Sequence, residues 1–323
     1  MRVLLTGAAG FLGRALTKAL LAAEHLTFSG RGDSAITELI LVDRVSTPAP
    51  VPPDSPIRVR VLTGDLADAG FVDHLASLDS DSIFHLAASL TLDAERDMES
   101  GYLINVESLR RLVESSTTPA KFVFASSIAV FGGELPASVD DSLRSEPDTT
   151  YGVHKAIAEL MVADYSRKGR IDGRALRLPI VLIRDGAPTP AVSDRIAAIV
   201  REPLRGRDVV SPLAPGTRLP VASSQAVAAA LIALHNLPAD VLPHGRVMNL
   251  PALTVSVADM VAAVERRRSG AAVGRIRFDV DSELQRIVDS WPKEFTSANA
   301  VRLGLCADGN FESIVESYLA RLA

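Results

Sequence analysis

"LLTGAAGFLG", residues 4–13, sets the first turn of the fold. The apolar run ending at Thr6 reads as a buried strand, and 11–23 reads as an amphipathic helix. Gly7, Gly10 and Gly13 make the junction between them. A tight exit from a strand calls for a residue tolerant of positive φ. A helix N-terminus that is to meet a diphosphate needs backbone N–H groups unobstructed by a Cβ. The third glycine lets helix and strand pack closely. The spacing is GxxGxxG instead of the commoner GxGxxG. The motif therefore carries two readings: a dinucleotide turn, or a strand–turn–helix junction that merely favours glycine.

The same alternation continues down the first half. Apolar runs at 3–6, 39–42, 59–62, 83–87, 122–125 and 175–181 are separated by helical patterns at 11–23, 70–78, 104–115 and 151–168. Runs of nearly continuous Val, Ile, Leu and Phe predict strands buried on both faces, hence an α/β class with a parallel sheet and crossover helices. The regularity fades after 182. Residues 183–222 are rich in Pro, Gly and Arg. Helices are expected at 224–236, 255–267 (Ser256 as N-cap) and 310–322, and a strand at 246–250. This predicts a first domain over 1–182, with 223–250 returning to it, and a smaller domain from 183–222 and 251–323. Five prolines between Val45 and Pro56 mark a loop, and no fixed-period repeat is present.

Composition narrows the function. The 323 residues are 47% hydrophobic, enough for a core without disulfides or metal. Acids outnumber bases 39 to 34, which disfavours a nucleic-acid partner. A lone Cys306 excludes an intramolecular disulfide and a Cys-cluster zinc site, and the six scattered histidines show no metal-ligand pairing, so no metal is expected. Only three apolar residues precede Thr6, and no run of about 18 apolar residues exists to span a bilayer. A soluble cytoplasmic protein without a membrane partner is expected.

Asp43 closes the run "LILVD", where an acid would accept hydrogen bonds from ribose hydroxyls and repel a 2′-phosphate. That favours NAD, although Arg44 next to it could tolerate a phosphate. Thirty residues separate Gly13 from Asp43, against about 20 as the usual gap. An insertion with a Gly-rich loop in 24–34 is the expected cause; a solvated strand-end acid is the alternative. Asp65 in "TGDLAD" is placed to meet the adenine, or is simply a helix cap.

"FVFASSIAVFGG" ends a strand with Ser126 and Ser127, and strand C-termini are where open α/β sheets hold ligands. Tyr151 and Lys155 follow in "YGVHK", one helical turn apart on one face. An ammonium beside a phenol favours the phenolate and pulls its pKa down from near 10, toward general-base duty. A serine hydroxyl nearby would hold the substrate oxygen. Alone, YxxxK is common helix surface; after a glycine turn and a strand-end serine it is specific.

The order GxxGxxG, strand-end Asp43, "GDL", "HLAA", "SSIAVFG" and YxxxK resembles the extended short-chain dehydrogenase/reductase family over residues 1–182, and more loosely beyond. The resemblance implies a Rossmann-type doubly wound parallel sheet, with a smaller interleaved C-terminal substrate domain, and NAD as cofactor. It implies Tyr151 as catalytic base, Lys155 lowering its pKa and binding the nicotinamide ribose, and Ser127 polarising the substrate. Cofactor contacts would fall on Gly7, Gly10, Phe11, Leu12, Gly13, Asp43, Asp65, Leu66, Leu86, Ala87 and Ala88. Asn105 stands behind the site, with Pro179 and Val181 beside the nicotinamide. A homodimer through 104–115 and 151–168 is also implied.

Within the family, "SSIAVFGG" and the stretch from Tyr151 to Val181 are most similar to NAD-dependent dehydrogenases that oxidise C2 of a four-carbon sugar acid. Dehydratase relatives carry an Asp-Glu pair directly after the active hydroxyl residue; here those positions are Ile128 and Ala129. A sugar-acid substrate needs an anchor for its carboxylate, and Arg suits it by bidentate bonding. Arg218 in "PGTRLP" is the first candidate, with Ser89 and Ser193 as hydroxyl candidates. His154 points about 100° round the helix from Lys155, as a bystander. Two alternatives remain: a nucleotide-sugar epimerase with tightly held NAD, using Arg201, Arg205 and Arg207 for a diphosphate, or a non-catalytic dinucleotide-binding regulator.

Overall fold

The run ending at Thr6 forms an interior strand of a seven-stranded parallel sheet. The computed structural model describes residues 1–28, 32–46, 51–52, 54–184, 191–269 and 272–321. Numbered in chain order, the strands of this sheet are β1 Arg2–Thr6, β2 Glu38–Asp43, β3 Arg58–Thr63, β4 Ser82–His85, β5 Ala120–Ser127, β6 Ile171–Leu178 and β7 Val247–Asn249. Their spatial order is β7-β6-β5-β4-β1-β2-β3, with helices on the sheet as the resemblance implies. β1 pairs in parallel with both β2 and β4, so Leu4 stands opposite Ile40 on one side and Ile83 on the other. The chain reverses direction across the sheet at β1 and β4. The crevice beyond their C-terminal ends is the place such a topology offers a ligand. Val3, Leu4 and Leu5 are fully buried, which accounts for the unbroken apolar run. Leu4, Ile40, Phe122 and Phe124 pack with Leu109, Leu112, Ala158 and Val162 in one core.

Several elements depart from the sequence expectation. The insertion at 24–34 contains an antiparallel pair, His25–Phe28 with Gly32–Ala35. Thr27 ties it down, its N–H donating to Asn236 Oδ1 and its carbonyl accepting from Lys121 Nζ. The run 175–181 is two strands. It breaks at Pro179, which has no N–H for a ladder. Ile171–Leu178 stays in the large sheet, and Ile180–Leu182 joins Arg218–Ser223 and Leu253–Ser256 in another. The helix expected at 255–267 starts later, at Val257, after that strand. Ser256 does cap it, exchanging bonds with Asp259 in a capping box. A helix, Val192–Leu204, lies in the stretch expected to be irregular. Of the proline-rich loop 45–56, residues 47–50 and 53 lie outside the described residues.

The chain divides into two compact units: Met1–Val130 with Pro147–Arg177 and Ala228–Met248, and Phe131–Glu146 with Leu178–Val227 and Asn249–Ala323. The second has its own core, including Ile196, Val200, Leu219, Val221, Met260, Ile314 and Tyr318. The excursion Phe131–Glu146 groups with this second unit because Ser138–Val139 pairs with Glu294–Phe295. Asp141 secures it, accepting bonds from the Asn249 N–H, Ser297 Oγ and Asn299 Nδ2. Among the described residues no helix is long and apolar enough to cross a membrane.

Candidate active site

Gly7 adopts φ +76°, and a Cβ there would lie 2.7 Å from the Ala87 nitrogen. A Cβ at Gly13 would stand 2.1 Å from the Gly7 carbonyl oxygen and 2.8 Å from Ala8 Cα, so only glycine fits the approach of helix to loop. Both clashes are with backbone and cannot be relieved by a rotamer. Gly13→Ala should therefore displace the loop and lower NAD affinity at least about tenfold, read by a binding titration of the purified protein.

The helix Phe11–Ala23 has no side-chain cap at Gly10 and no acid in its first turn. Its N-terminus is thus suited to an anion. Asp43, at the end of β2, accepts the Ala9 N–H at 2.8 Å through Oδ2, which steadies the loop; its Oδ1 makes only a long 3.4 Å contact with the Val45 N–H. Leu86 and Ala87 follow β4 and donate to Thr6, holding that turn against β1. Asp65 is exposed, its Oδ1 accepting from the Ala67 N–H at 2.9 Å, and Leu66 beside it is buried. The cradle that a Cβ would fill, the uncapped helix end and the strand-end carboxylate fit the diphosphate and ribose of NAD.

The reactive side chains gather at the end of β5. Thr149 caps the helix Thr150–Arg167 by accepting the Gly152 N–H, so Tyr151 sits in its first turn and Lys155 one turn on. Lys155 is buried, donates to the Ala125 carbonyl at 2.7 Å, and lies 4.4 Å from the Phe124 ring centre and 5.6 Å from that of Tyr151. Ser127 hydrogen-bonds the Tyr151 phenol, and its Oγ also accepts the Ala129 N–H at 3.1 Å. Burial pushes the Tyr151 phenol up to about 12, with the Ser127 bond opposing that. Burial pulls the Lys155 amine down to about 7, and the Glu159 carboxylate opposes that. The sequence leads one to expect the ammonium to lower the phenol; in the protein alone desolvation dominates both groups.

Asn105 is buried in a π-helical turn, Leu103–Glu107, within a helical run from Met98 to Glu114. Its amide grips Ser89 at both backbone groups, accepting the N–H at 2.7 Å and donating to the carbonyl at 2.9 Å. His154 lies 3.3 Å from the same amide, edge-on to the Tyr102 ring. It is packed, and burial lowers its pKa.

Two features of this region carry no motif in the sequence. Glu159 is buried and takes a two-point bond from Arg177, at 2.9 and 2.8 Å, and a third from Ser126 Oγ at 2.5 Å. Its place one turn after Lys155 was visible in the sequence; its arginine partner was not. His85, at the end of β4, is fully buried between the Phe122 and Phe124 rings and bonded to Thr6 Oγ1 at 2.9 Å.

Ser89, Asn105, Ser127, Tyr151 and Lys155 all belong to the first unit, and Pro179, Val181, Ser193 and Arg218 to the second. Ser193 is in the first turn of the helix Val192–Leu204. Arg218 opens a strand with its side chain 55% exposed and paired to Glu294 at 3.2 Å.

Residues 3–249 match the NAD dependent epimerase/dehydratase family. The chain belongs to that family. NAD is its cofactor. It is 39% identical to a D-erythronate dehydrogenase of Cupriavidus necator over 99% of this chain and 98% of that protein. It is 37% identical to a D-erythronate dehydrogenase of Haemophilus influenzae over 99% of each chain. Among solved structures, a nucleoside-diphosphate-sugar epimerase from Agrobacterium tumefaciens superposes with a TM-score of 0.90 at 32% identity, covering 99% of this chain and 94% of that one. The protein is an NAD-dependent oxidoreductase acting on a CH–OH group.

Proposed function

We propose that this protein oxidises the C2 hydroxyl of D-erythronate, or of a similar small aldonate, with Tyr151 as general base. The observation that carries it is the gathering of Ser127, Tyr151 and Lys155 around the end of β5, with Ile128 and Ala129 where a dehydratase would need acids. The two full-length relatives support the substrate class.

NAD supplies the hydride acceptor and brings a positive ring charge to the site. Ser127 holds the substrate oxygen, and Tyr151 takes the hydroxyl proton. Lys155, in its charged form, stabilises the phenolate that does so and passes the proton outward. Gly7, Gly10, Phe11, Leu12 and Gly13 hold the diphosphate, Asp43 the ribose, Asp65 and Leu66 the adenine, and Leu86, Ala87, Ala88, Asn105, Pro179 and Val181 the rest of the cofactor. The first unit is the dinucleotide-binding part and the second the substrate part. Arg218, Ser193 and Ser89 are the candidate anchors for the carboxylate. A homodimer is proposed through 104–115 and 151–168, where Val153 and Leu160 are exposed, and a cytoplasmic setting goes with it.

The epimerase alternative is weakened by its own arginines. Arg201 is fully buried and paired to Asp194 and Glu202, and Arg207 is paired to Glu202 as well. The Arg205 guanidinium lies over the Tyr318 ring. A diphosphate would have to break these contacts. The test is a panel of four- to six-carbon aldonic and uronic acids with NAD, followed by absorbance of the reduced cofactor. D-Erythronate should give the highest kcat/KM, and nucleotide sugars should give no turnover. Turnover of a nucleotide sugar without net NAD reduction would overturn the proposal.

A further inference from the structure

Lys155 is a buried amine with an unusual environment. From its own helix it meets the Tyr151 ring, and Glu159 stands one turn on, on the same face; from β5 it meets the Ala125 carbonyl and the Phe124 ring; from β4, His85 feels its charge. Arg177 on β6 stands behind Glu159. Among the described residues, the carboxylate acting on the amine is Glu159. That carboxylate is itself fixed from two strands, by Ser126 of β5 and by both arms of Arg177. A buried acid gripped at three points is not an adventitious neighbour; leaving either partner uncompensated would be costly.

We propose that Glu159 is a positioning residue for the reaction: its buried carboxylate, locked by Arg177 and Ser126, keeps Lys155 charged inside a dry site. This rests on the role given to Lys155 under the proposed function and extends it to a carboxylate that never meets substrate. Without the acid, burial would drive the amine toward its neutral form unopposed by that carboxylate. A neutral amine cannot hold a phenolate beside it.

The chain has five lysines, at 18, 121, 155, 168 and 293, so protein carrying carbon-13 at the lysine ε-positions gives a small set of titrating NMR signals. Lys121 provides an internal control. It too is buried and lowered, to about 8, by burial and Arg174, with Asp172 opposing and no part taken by Glu159. In Glu159→Gln the Lys155 midpoint should fall by about one pH unit while that of Lys121 stays in place. Lys155 unmoved, or moving together with Lys121, would mean that Glu159 only supports the fold. Should Glu159→Gln fail to fold, Glu159→Asp keeps the charge but draws it back; it should shift Lys155 the same way by a smaller amount, and no shift would again overturn the proposal. The titration needs neither substrate nor cofactor, so its outcome is separable from that of the proposed reaction. Turnover surviving Tyr151→Phe would sink the reaction while leaving the titration result intact. In the active protein the acid limb of kcat/KM should move to higher pH in Glu159→Gln, because a less cationic Lys155 raises the phenol.

Discussion

Tyr151→Phe should lower kcat by about 10³-fold or more, with little change in NAD affinity. The substitution deletes one oxygen, and with it the proposed proton acceptor and the bond to Ser127. The ring still packs, because the Lys155 amine lies over it at 5.6 Å and the helix around it is unaltered. A stability loss is therefore not expected to confuse the result. Steady-state turnover with the best aldonate of the panel, beside a NAD titration and a melting curve, makes the measurement. Retention of full turnover would exclude Tyr151 as the base and return the site to a mere binding role.

Acid should weaken the protein progressively from pH 6.5 down toward 3. Burial holds both His85 and His235 down to about 3, with the Lys155 charge adding to the effect at His85. His235 uses both ring nitrogens, toward Ser82 Oγ at 2.8 Å and Asn236 Oδ1 at 3.1 Å, and stacks on Phe84. Both pKa values lie below the free value of 6.5, so as pH falls the unfolded chain takes up these protons first. Stability is complete above 6.5 and is lost as pH falls from 6.5 toward 3. Each histidine can remove up to about 5 kcal/mol, and the two together rival the whole stability of a typical domain. Lys155 and Lys121, held below the ordinary lysine value of 10.5, carry the rise further into the alkaline range, since the unfolded chain again binds the extra protons. Urea midpoints taken across the acid range should drop steeply, and the drop should be about half as steep in His85→Leu. Superimposable curves for the two proteins would refute this assignment.

The order of motifs along the chain named the residues of the candidate site. The glycine turn, Asp43, Ser127 and Tyr151 each sit at or beside an element boundary, with Lys155 one helical turn on, and boundaries are written in local residue choice. The helix Ser224–Asn236 was legible end to end for the same reason. The helix Val192–Leu204 was missed although Ile196, Ile199, Val200 and Pro203 repeat at helical spacing; the surrounding Pro and Gly content outweighed that pattern. Arg177 could not be matched to Glu159 because the pairing depends on which residue of β6 faces the helix, a matter of register set by the whole sheet. The balance at Tyr151 was illegible for a similar reason. Proximity of an amine is visible in YxxxK, but the depth to which both groups are buried is not, and depth decides the sign.

The widened turn at Leu103–Glu107 has a consequence for how this protein can vary. It accommodates one residue more than a regular helix would over the same length. Upstream, Gly101 is wedged against Ala94; downstream, Leu109, Leu112 and Val113 are seated in the core. Loss of a single residue from the widened turn would let the rod close into a regular helix with both anchors kept in register, and would change which side chain faces Ser89. Asn105 would then let go of the Ser89 backbone. The flanking turns could shed the extra residue unharmed, so what the widening secures is the placement of the Asn105 amide and nothing beyond it.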